Sequence, residues 1–536
     1  MRLALAQINS VVGDVDGNAA KVVDWLGRAR DEHADLVLFP ELVVTGYPPE
    51  DLLLRPGFIR AAQRAVEGIA KATHGVTALV GAPHLDTHLY NACFVLAGGE
   101  VREVYRKRLL PNYGVFDERR YFEPGEDDLL VDVAGVRVGL TVCEDIWIEG
   151  SPAFGLGRLG AELVTNLSAS PFHVGKDLER EEIVRRCAVA NKRVVALCNA
   201  VGGQDELVFD GHSIVLDGNG DVLARAAGFE EELLVLDLDL DLAAPKPARI
   251  TSPLDDLEQM RLGLELGLRD YVTKNGFGDV VLGVSGGIDS ALVAALCVEA
   301  LGAEHVHAVS MPSRYSSEGT RSDAQRLAAS LGVDFREIPI EPMVGAYDAA
   351  LAEVFTGRES DLTEENLQAR IRGTLLMALS NKFGWLVIAT GNKSELSVGY
   401  STLYGDLAGG FALIKDVYKT DVFRLSRWLN ERAGRELIPT SIIERAPSAE
   451  LRADQRDEDS LPPYPQLDKV LEAYVELDRS REELSQDGFD PDVVDRALGM
   501  IDRAEYKRRQ APPGVKLRPK AFGRDRRTPI TNRWPG

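Results

Sequence analysis

No apolar run in the sequence approaches the roughly 20 residues that span a bilayer, and neither a low-complexity tract nor a solenoid-like repeat occurs. A membrane-spanning helix and a repeat architecture are excluded on that ground. The amino terminus, Met1-Arg2-Leu3-Ala4-Leu5-Ala6-Gln7, alternates briefly but lacks the long apolar stretch and small-residue cleavage site of a signal peptide. A cytoplasmic chain with no membrane partner is expected. Cysteine is scarce: Cys93, Cys143, Cys187, Cys198 and Cys297 are odd in number, scattered and never spaced C-x-x-C. That argues against a disulfide framework or a zinc site and leaves mostly reduced core thiols. Positive charge is also short. Lys and Arg number 61 against 84 Asp and Glu, a formal net charge of −23, which opposes general nucleic-acid binding by counterion release. Local basic pockets remain at Lys507-Arg508-Arg509 and between Lys516 and Arg527; read alone, these are equally a solvated tail.

What is present fits a globular chain of two or three domains: 536 residues, 45% apolar and 27% charged. In the first half, residues 36–39, 78–81, 136–142 and 194–197 read as strands, and 18–33 and 59–72 have helical spacing. The alternation predicts an α/β layer fold but leaves the packing of the sheets open. Residues 233–242 read as a late strand, after which Ala243-Ala244-Pro245-Lys246-Pro247 breaks regular structure. The expected division is therefore 1–245, a linker at 246–258, and 259–536. Beyond the linker, a helix over 257–275, a strand over 278–284, a helix over 290–301 and a strand over 305–311 open a doubly wound parallel sheet. Residues 446–465 read as a loop, and a helical pattern returns over 467–508.

Between the strand at 278–284 and the next helix lies Ser285-Gly286-Gly287-Ile288-Asp289-Ser290. Its glycines admit close backbone approach to an anion, successive N–H groups and a helix start cradle phosphate, and Asp289 can help hold a divalent cation. A bare Gly-Gly would read as an ordinary turn; the flanking serines and Asp289 favour a phosphate site. No G-K-[ST] follows, so the loop is not of Walker type, nor does it match G-x-G-x-x-G. It resembles the pyrophosphate loop of the N-type ATP pyrophosphatases. Thr390-Gly391-Asn392-Lys393-Ser394-Glu395, Tyr404-Gly405-Asp406, Lys415-Asp416-Val417-Tyr418-Lys419-Thr420 and, upstream, Asn366 to Arg372 then resemble, in order, the synthetase domain of NAD⁺ synthetases. The resemblance implies a fold like that of the adenine nucleotide α-hydrolases. It implies that Gly283, Val284, Ser285 to Ser290, Thr390, Lys419 and Thr440 contact ATP, that Asp289 and Glu395 serve Mg²⁺, and that Asn366, Arg370, Glu395, Asp406 and Lys507 face deamido-NAD⁺, with Lys520 a secondary choice. Singly, Arg370, Lys419 and Thr440 have ordinary surface readings. Their order after the loop is what selects the functional one.

In the first half, Cys143 closes a strand and opens Cys143-Glu144-Asp145-Ile146-Trp147. A lone cysteine is as readily a structural thiol. Phe39-Pro40-Glu41, at another strand's end, and Tyr105-Arg106-Lys107, which supplies a lysine, change that reading. Glu, Lys and Cys in this order resemble the triad of the nitrilase superfamily over most of residues 1–240, which implies an α/β sandwich. It implies Glu41 as general base, Lys107 as donor to the oxyanion and Cys143 as nucleophile. Tyr113, Glu118, Glu144, Trp147, Ser170 and Lys176 are implied to form a glutamine pocket; His173 receives no catalytic role. The whole chain thus resembles the glutamine-dependent NAD⁺ synthetases. The resemblance implies amidation of deamido-NAD⁺ with ATP and L-glutamine or ammonia, ammonia carried between the sites, and a homo-oligomer. Another amidotransferase on the same ATP loop, a binding or RNA-modifying scaffold with a decayed amidase half, and a nitrilase fused to an inert domain are the alternatives. Residues 390–395 and 406–419 weigh against the first, the negative charge and the intact Glu41, Lys107 and Cys143 against the second, and the complete synthetase motifs against the third.

Overall fold

The computed structural model describes residues 1–240, 248–452 and 454–534. The chain divides into two compact units, Met1–Asp256 and Leu257–Gly536. The expected break at Ala243 to Pro247 lies outside the described residues.

Two six-stranded sheets form the first unit. In one, Arg2–Gln7, Leu36–Leu38 and Thr77–Leu85 run parallel, flanked by antiparallel Glu232–Asp237 on one side and by Leu89–Ala97 and Glu100–Arg106 on the other. The other repeats the plan. Val136–Val142, Leu163–Ser168 and Val194–Asn199 are parallel, with Leu130–Val133 antiparallel at one edge and Ile214–Leu216 and Val222–Arg225 at the other. Side chains alternate across each strand. Leu3, Leu5, Leu36 and Leu38 share a buried core with Val138, Leu140, Val142 and Leu163, so the sheets pack face to face. The opposite faces take helices. Ala4, Ala6 and Val37 meet Trp25 and Leu26 of Val15–Asp31 and Val66 and Ile69 of Pro56–Ala70. Val164, Val195 and Leu197 meet Ile183, Val184 and Cys187 of Lys176–Asn191. The result is the α/β sandwich implied by the resemblance.

The second unit holds a wholly parallel five-stranded sheet in the order Asp334–Glu337, Val306–Ser310, Val280–Gly283, Leu386–Ala389, Phe411–Ala412. The chain winds outward from Val280–Gly283 in one direction and then, through the helix Leu362–Phe383, in the other. Reversal between Val280–Gly283 and Leu386–Ala389 opens a crevice at their carboxyl ends, the usual ligand position of a doubly wound sheet. Ile288–Leu301 follows the first of these strands and is mostly buried, as the apolar run from Ala291 to Val298 requires.

Element ends differ from the expectation by a few residues: the helices expected at 18–33 and 59–72 are Val15–Asp31 and Pro56–Ala70. The larger difference lies at 467–508. That helical pattern is divided into Tyr464–Leu471, a π-turn over Glu472–Glu476, then Arg481–Gln486, Pro491–Arg503 and Glu505–Arg508. Ser480 accepts from Glu483 N and Asp490 from Asp492 N, so each starts a new helix. The buried side chains of these segments close on Val398 and Tyr418.

Candidate active sites

In the first unit, three strand ends converge. Glu41 follows Leu36–Leu38, Lys107 follows Glu100–Arg106, and Cys143 follows Val136–Val142. Lys107 is wholly buried. Its Nζ donates to Glu41 Oε1 at 2.7 Å and to both oxygens of Glu118 at 2.9 Å. Glu41 is held by Asn91 Nδ2 at 2.7 Å and by the Ala169 N–H at 3.1 Å, and Tyr47 donates its hydroxyl to Glu118 at 3.0 Å. Cys143 has φ of 42°, a left-handed backbone unusual for cysteine, and begins the turn Cys143–Ile146. Such strain persists only where the surroundings enforce it. Here Asp145 does so: its carboxylate accepts from Val142 N at 3.0 Å and Tyr105 OH at 2.8 Å, and from the N–H groups of Arg108 and Leu109 at 3.1 and 2.8 Å. The turn carrying Cys143 is thereby tied to the segment carrying Lys107.

Electrostatics follow from one ammonium among several acids. Burial alone would lower Lys107, but Glu118, Glu41 and the Cys143 thiol overturn this and hold it well above its ordinary range. Burial pushes the Cys143 thiol well up, Glu41 adds to the shift and Lys107 opposes it. Burial pushes Glu118 up to about 7 against the pull of Lys107. The thiol thus rests protonated beside a carboxylate, and attack by sulfur requires a proton acceptor.

The residues assigned to a glutamine pocket fall around this cluster. Tyr113 donates to Glu144 at 3.0 Å, and Lys176 Nζ lies 4.1 Å from the centroid of the Trp147 ring. Ser170 is buried, with its N–H donated to Asn199 Oδ1 at 2.9 Å. Glu118 directs both oxygens to Lys107 rather than outward.

In the second unit, Ser285 to Ser290 leave the strand Val280–Gly283 at the sheet's crevice. The Val284 N–H donates to Val309 O at 2.9 Å, and Ile288 begins the following helix. Gly287 N–H donates to Ser285 Oγ at 3.1 Å, and Ser290 Oγ donates to Gly287 O at 3.0 Å. Asp289 takes Asn392 Nδ2 at 2.8 Å and Lys419 Nζ at 2.5 Å; Lys419 also donates to Glu395 Oε1 at 3.1 Å. Burial pushes Glu395 up to about 8, Lys419 opposes, and Asp289 and Asp457 add to the shift. Burial would lower Lys419, but Asp289 and Glu395 hold it above its ordinary value.

A second group surrounds the loop Gly399 to Asp406. Asn366 accepts from Thr402 Oγ1 at 2.8 Å, Arg370 donates to Leu403 O at 3.2 Å, Asp406 accepts from Thr402 N at 2.7 Å, and Lys507 Nζ donates to Gly399 O and Ser401 O at 2.7 Å. Burial lowers Lys507 and Asp406 opposes this. Thr390 is the first residue past the strand Leu386–Ala389. Thr440 is exposed and donates its hydroxyl to Glu436 at 2.6 Å. Lys520 pairs with Asp478, and its carbonyl accepts from the buried Lys393 at 2.9 Å.

Sequence reasoning passed over Asn91, Asp145, Asn392 and Asp457. Asp145 and Asn392 lie inside the motifs already singled out, a usable signal; Asn91 sits in mid-strand with none. Among the described residues no group of three His, Cys, Asp or Glu forms a metal cluster, and no helix is long and apolar enough to cross a membrane.

Comparison with known proteins agrees with the two-unit arrangement. Residues 2–248 match the carbon-nitrogen hydrolase family, and residues 262–511 match NAD synthase. A glutamine-dependent NAD(+) synthetase of Thermotoga maritima is 49% identical, covering 100% of this chain and 99% of its own. One from Xanthomonas campestris pv. campestris is 47% identical, covering 100% and 98%. The solved structure of a glutamine-dependent NAD⁺ synthetase from Acinetobacter baumannii in complex with ADP is 42% identical, covers 99% of this chain and 98% of its own, and superposes with a TM-score of 0.81.

Proposed function

Because the chain belongs to the glutamine-dependent NAD⁺ synthetase family, we propose that Cys143, Glu41 and Lys107 release ammonia from glutamine and that the crevice around Ser285 to Ser290 uses ATP to fix it on deamido-NAD⁺. In the first reaction Cys143 Sγ attacks the side-chain amide, and Glu41 takes the thiol proton and passes it to the departing amine. Lys107 meets the charge growing on the carbonyl oxygen. Ammonia leaves, and water hydrolyses the glutamyl thioester to glutamate and free thiol. Tyr113, Glu144, Trp147, Ser170 and Lys176 bind the amino acid.

A carboxylate is a poor acceptor for ammonia because its leaving group is hydroxide-like. In the second reaction the nicotinate carboxylate of deamido-NAD⁺ attacks the α-phosphorus of ATP and pyrophosphate departs; ammonia then displaces AMP from the acyl-adenylate, giving NAD⁺. The loop N–H groups and Lys419 receive the phosphates, with Thr390 and Thr440 as further ATP contacts. Asn366, Arg370, Asp406 and Lys507 hold the dinucleotide. Asp289 and Glu395 fit Mg²⁺, which takes hard oxygen ligands and commonly combines one or two carboxylates with substrate phosphates. When bound, it neutralises charge on the leaving pyrophosphate. Ammonia stays enclosed in a homo-oligomer on its way between the sites, and dilution of nascent ¹⁵N-ammonia by bulk ammonium would disprove the enclosure.

The observation that carries this reading is the Lys419 ammonium joining Asp289 of the phosphate loop to Glu395, 2.5 and 3.1 Å away. The test is a nitrogen-source comparison with deamido-NAD⁺ and ATP, following AMP, glutamate and NAD⁺ together. Equal AMP and NAD⁺ from either donor, with glutamate only from glutamine, is expected. Failure of both donors to yield NAD⁺ with pyrophosphate overturns the reading.

A further inference from the structure

Arg445 follows the short helix Thr440–Glu444, immediately before the stretch 446–465 that reads as a loop. Its Nη1 donates to Gly286 O at 3.2 Å, and its Nη2 donates to Asp323 Oδ2. Asp323 is buried and its other oxygen is already engaged, by Ser441 Oγ at 2.6 Å and Arg326 at 3.1 Å. A planar guanidinium with donors in a fixed fork suits this pair of acceptors; a lysine ammonium reaches one of them well.

The target peptide is the most freely turned in the phosphate loop. Gly286 has φ of +81°, and a Cβ there would lie 2.2 Å from Thr320 O, so the loop backbone presses directly on the first turn of Glu318–Leu331. Two successive glycines leave the peptide between them with little steric preference. In a trans peptide the carbonyl and the N–H point in opposite directions. With Gly286 O turned toward Arg445, the Gly287 N–H faces Ser285 Oγ, and that hydroxyl lies 3.3 Å from Ser290 Oγ. The direction of the N–H at the loop mouth is therefore set from outside the loop. The same segment is anchored twice more: Thr320 Oγ1 donates to Glu450 at 3.0 Å and Gln368 Nε2 to Leu451 O at 3.0 Å.

We propose that Arg445 is a positioning residue of the ATP site: held by Asp323, it fixes the Gly286–Gly287 peptide with its N–H on the Ser285 hydroxyl, and so sets the shape of the loop that receives the phosphates. The inference rests on the function proposed above and adds that this loop depends on a guanidinium 159 residues away in the chain. Arg445 acts through backbone, so its loss weakens phosphate binding while leaving deamido-NAD⁺ recognition and glutamine hydrolysis in place.

The test compares Arg445→Ala, Arg445→Lys and Asp323→Asn with Arg326→Ala, which removes a neighbouring cation from the same carboxylate without touching the loop. For the full-length protein, ammonium-driven synthesis gives KM for ATP and for deamido-NAD⁺, and added inorganic pyrophosphate gives its inhibition constant. Arg445→Ala is expected to raise both the ATP KM and the pyrophosphate constant by about tenfold, the loss of a charge-assisted bond. Arg445→Lys should recover part of this and Asp323→Asn lose part, with the deamido-NAD⁺ KM within about twofold and Arg326→Ala near wild type. If Arg445→Ala does not fold, Arg445→Lys must still shift both constants in the same direction. Variants indistinguishable from Arg326→Ala, or a deamido-NAD⁺ KM rising in step, overturn the inference while leaving the proposed function standing. A wild-type protein that forms no AMP from ATP and deamido-NAD⁺ sinks both.

Discussion

The two candidate sites share one charged unit and differ in its neighbour. In the first, buried Lys107 lies between Glu41 and Glu118; in the second, buried Lys419 lies between Asp289 and Glu395. Burial raises one carboxyl of each pair, Glu118 to about 7 and Glu395 to about 8. Beside the first ammonium stands a thiol on a strained turn; beside the second, a run of loop N–H groups opening a helix. One holds a nucleophile and the other an anion, so a lysine between two carboxylates does not by itself select a chemistry. The supports differ as well. Glu41, Lys107 and Cys143 each end a strand of the sandwich, whereas Asp289, Glu395 and Lys419 occupy the first turns of three helices.

The strongest way to break the comparison is to remove the thiol. Cys143→Ala should lower glutamine-driven NAD⁺ formation by about 10³-fold or more while ammonium-driven formation stays within about twofold. Loss of both in a folded variant would mean that the sites do not act separately. Asp289→Ala is the converse experiment: synthesis from either nitrogen source should fall about 10²- to 10³-fold with glutamine hydrolysis intact, and undiminished AMP release would refute the role given to Asp289.

Glu118→Gln sharpens the contrast, with an expected fall in glutamine hydrolysis of about 10²-fold. Its pH dependence has a definite sign. Because burial lifts Glu118 above the ordinary value of about 4.3, the folded state resists its ionisation. Below about pH 4 the group is protonated folded or unfolded and contributes nothing. As pH climbs toward 7 the unfolded chain ionises first and stability falls, the loss being complete above the folded value. Glutamine hydrolysis should rise over the same interval as Glu118 becomes available to Lys107 in its charged form. A pH–rate profile and thermal midpoints of both proteins check this; an unchanged acidic limb in Glu118→Gln would assign it to another group. The smallest effect is expected for Thr440→Val, about threefold in the KM for ATP, because the hydroxyl is exposed and engaged by Glu436. A change as large as that of Asp289→Ala would place Thr440 at the phosphates.

Much of the fold was legible because its signals are local. Two-residue alternation in Arg2–Gln7 separates Leu3 and Leu5 from Ala4 and Ala6, and the run before Ser285 announces a buried parallel strand. The helical pattern at 467–508 is met by several helices, and where one ends and the next begins is set by the caps at Ser480 and Asp490. Within the sites, motif residues could be named, but the second oxygen of a carboxylate has no sequence signature. Glu118 was expected among pocket residues and stands on Lys107 with both oxygens; Asn91 and Arg445 had no local mark at all.

Sequence alone thus determined the α/β class, the order of two chemically unrelated motif sets and the residue types each contains, because periodicity and glycine or proline placement act over a few neighbours. Tertiary structure decided the rest: which carboxylate meets which ammonium, that Asp145 binds the turn of Cys143 to the segment of Lys107, and that the Gly286 carbonyl turns toward Arg445. Those contacts join residues from 11 to 159 positions apart. Their energies depend on burial and distance, which exist only once the sheets have formed.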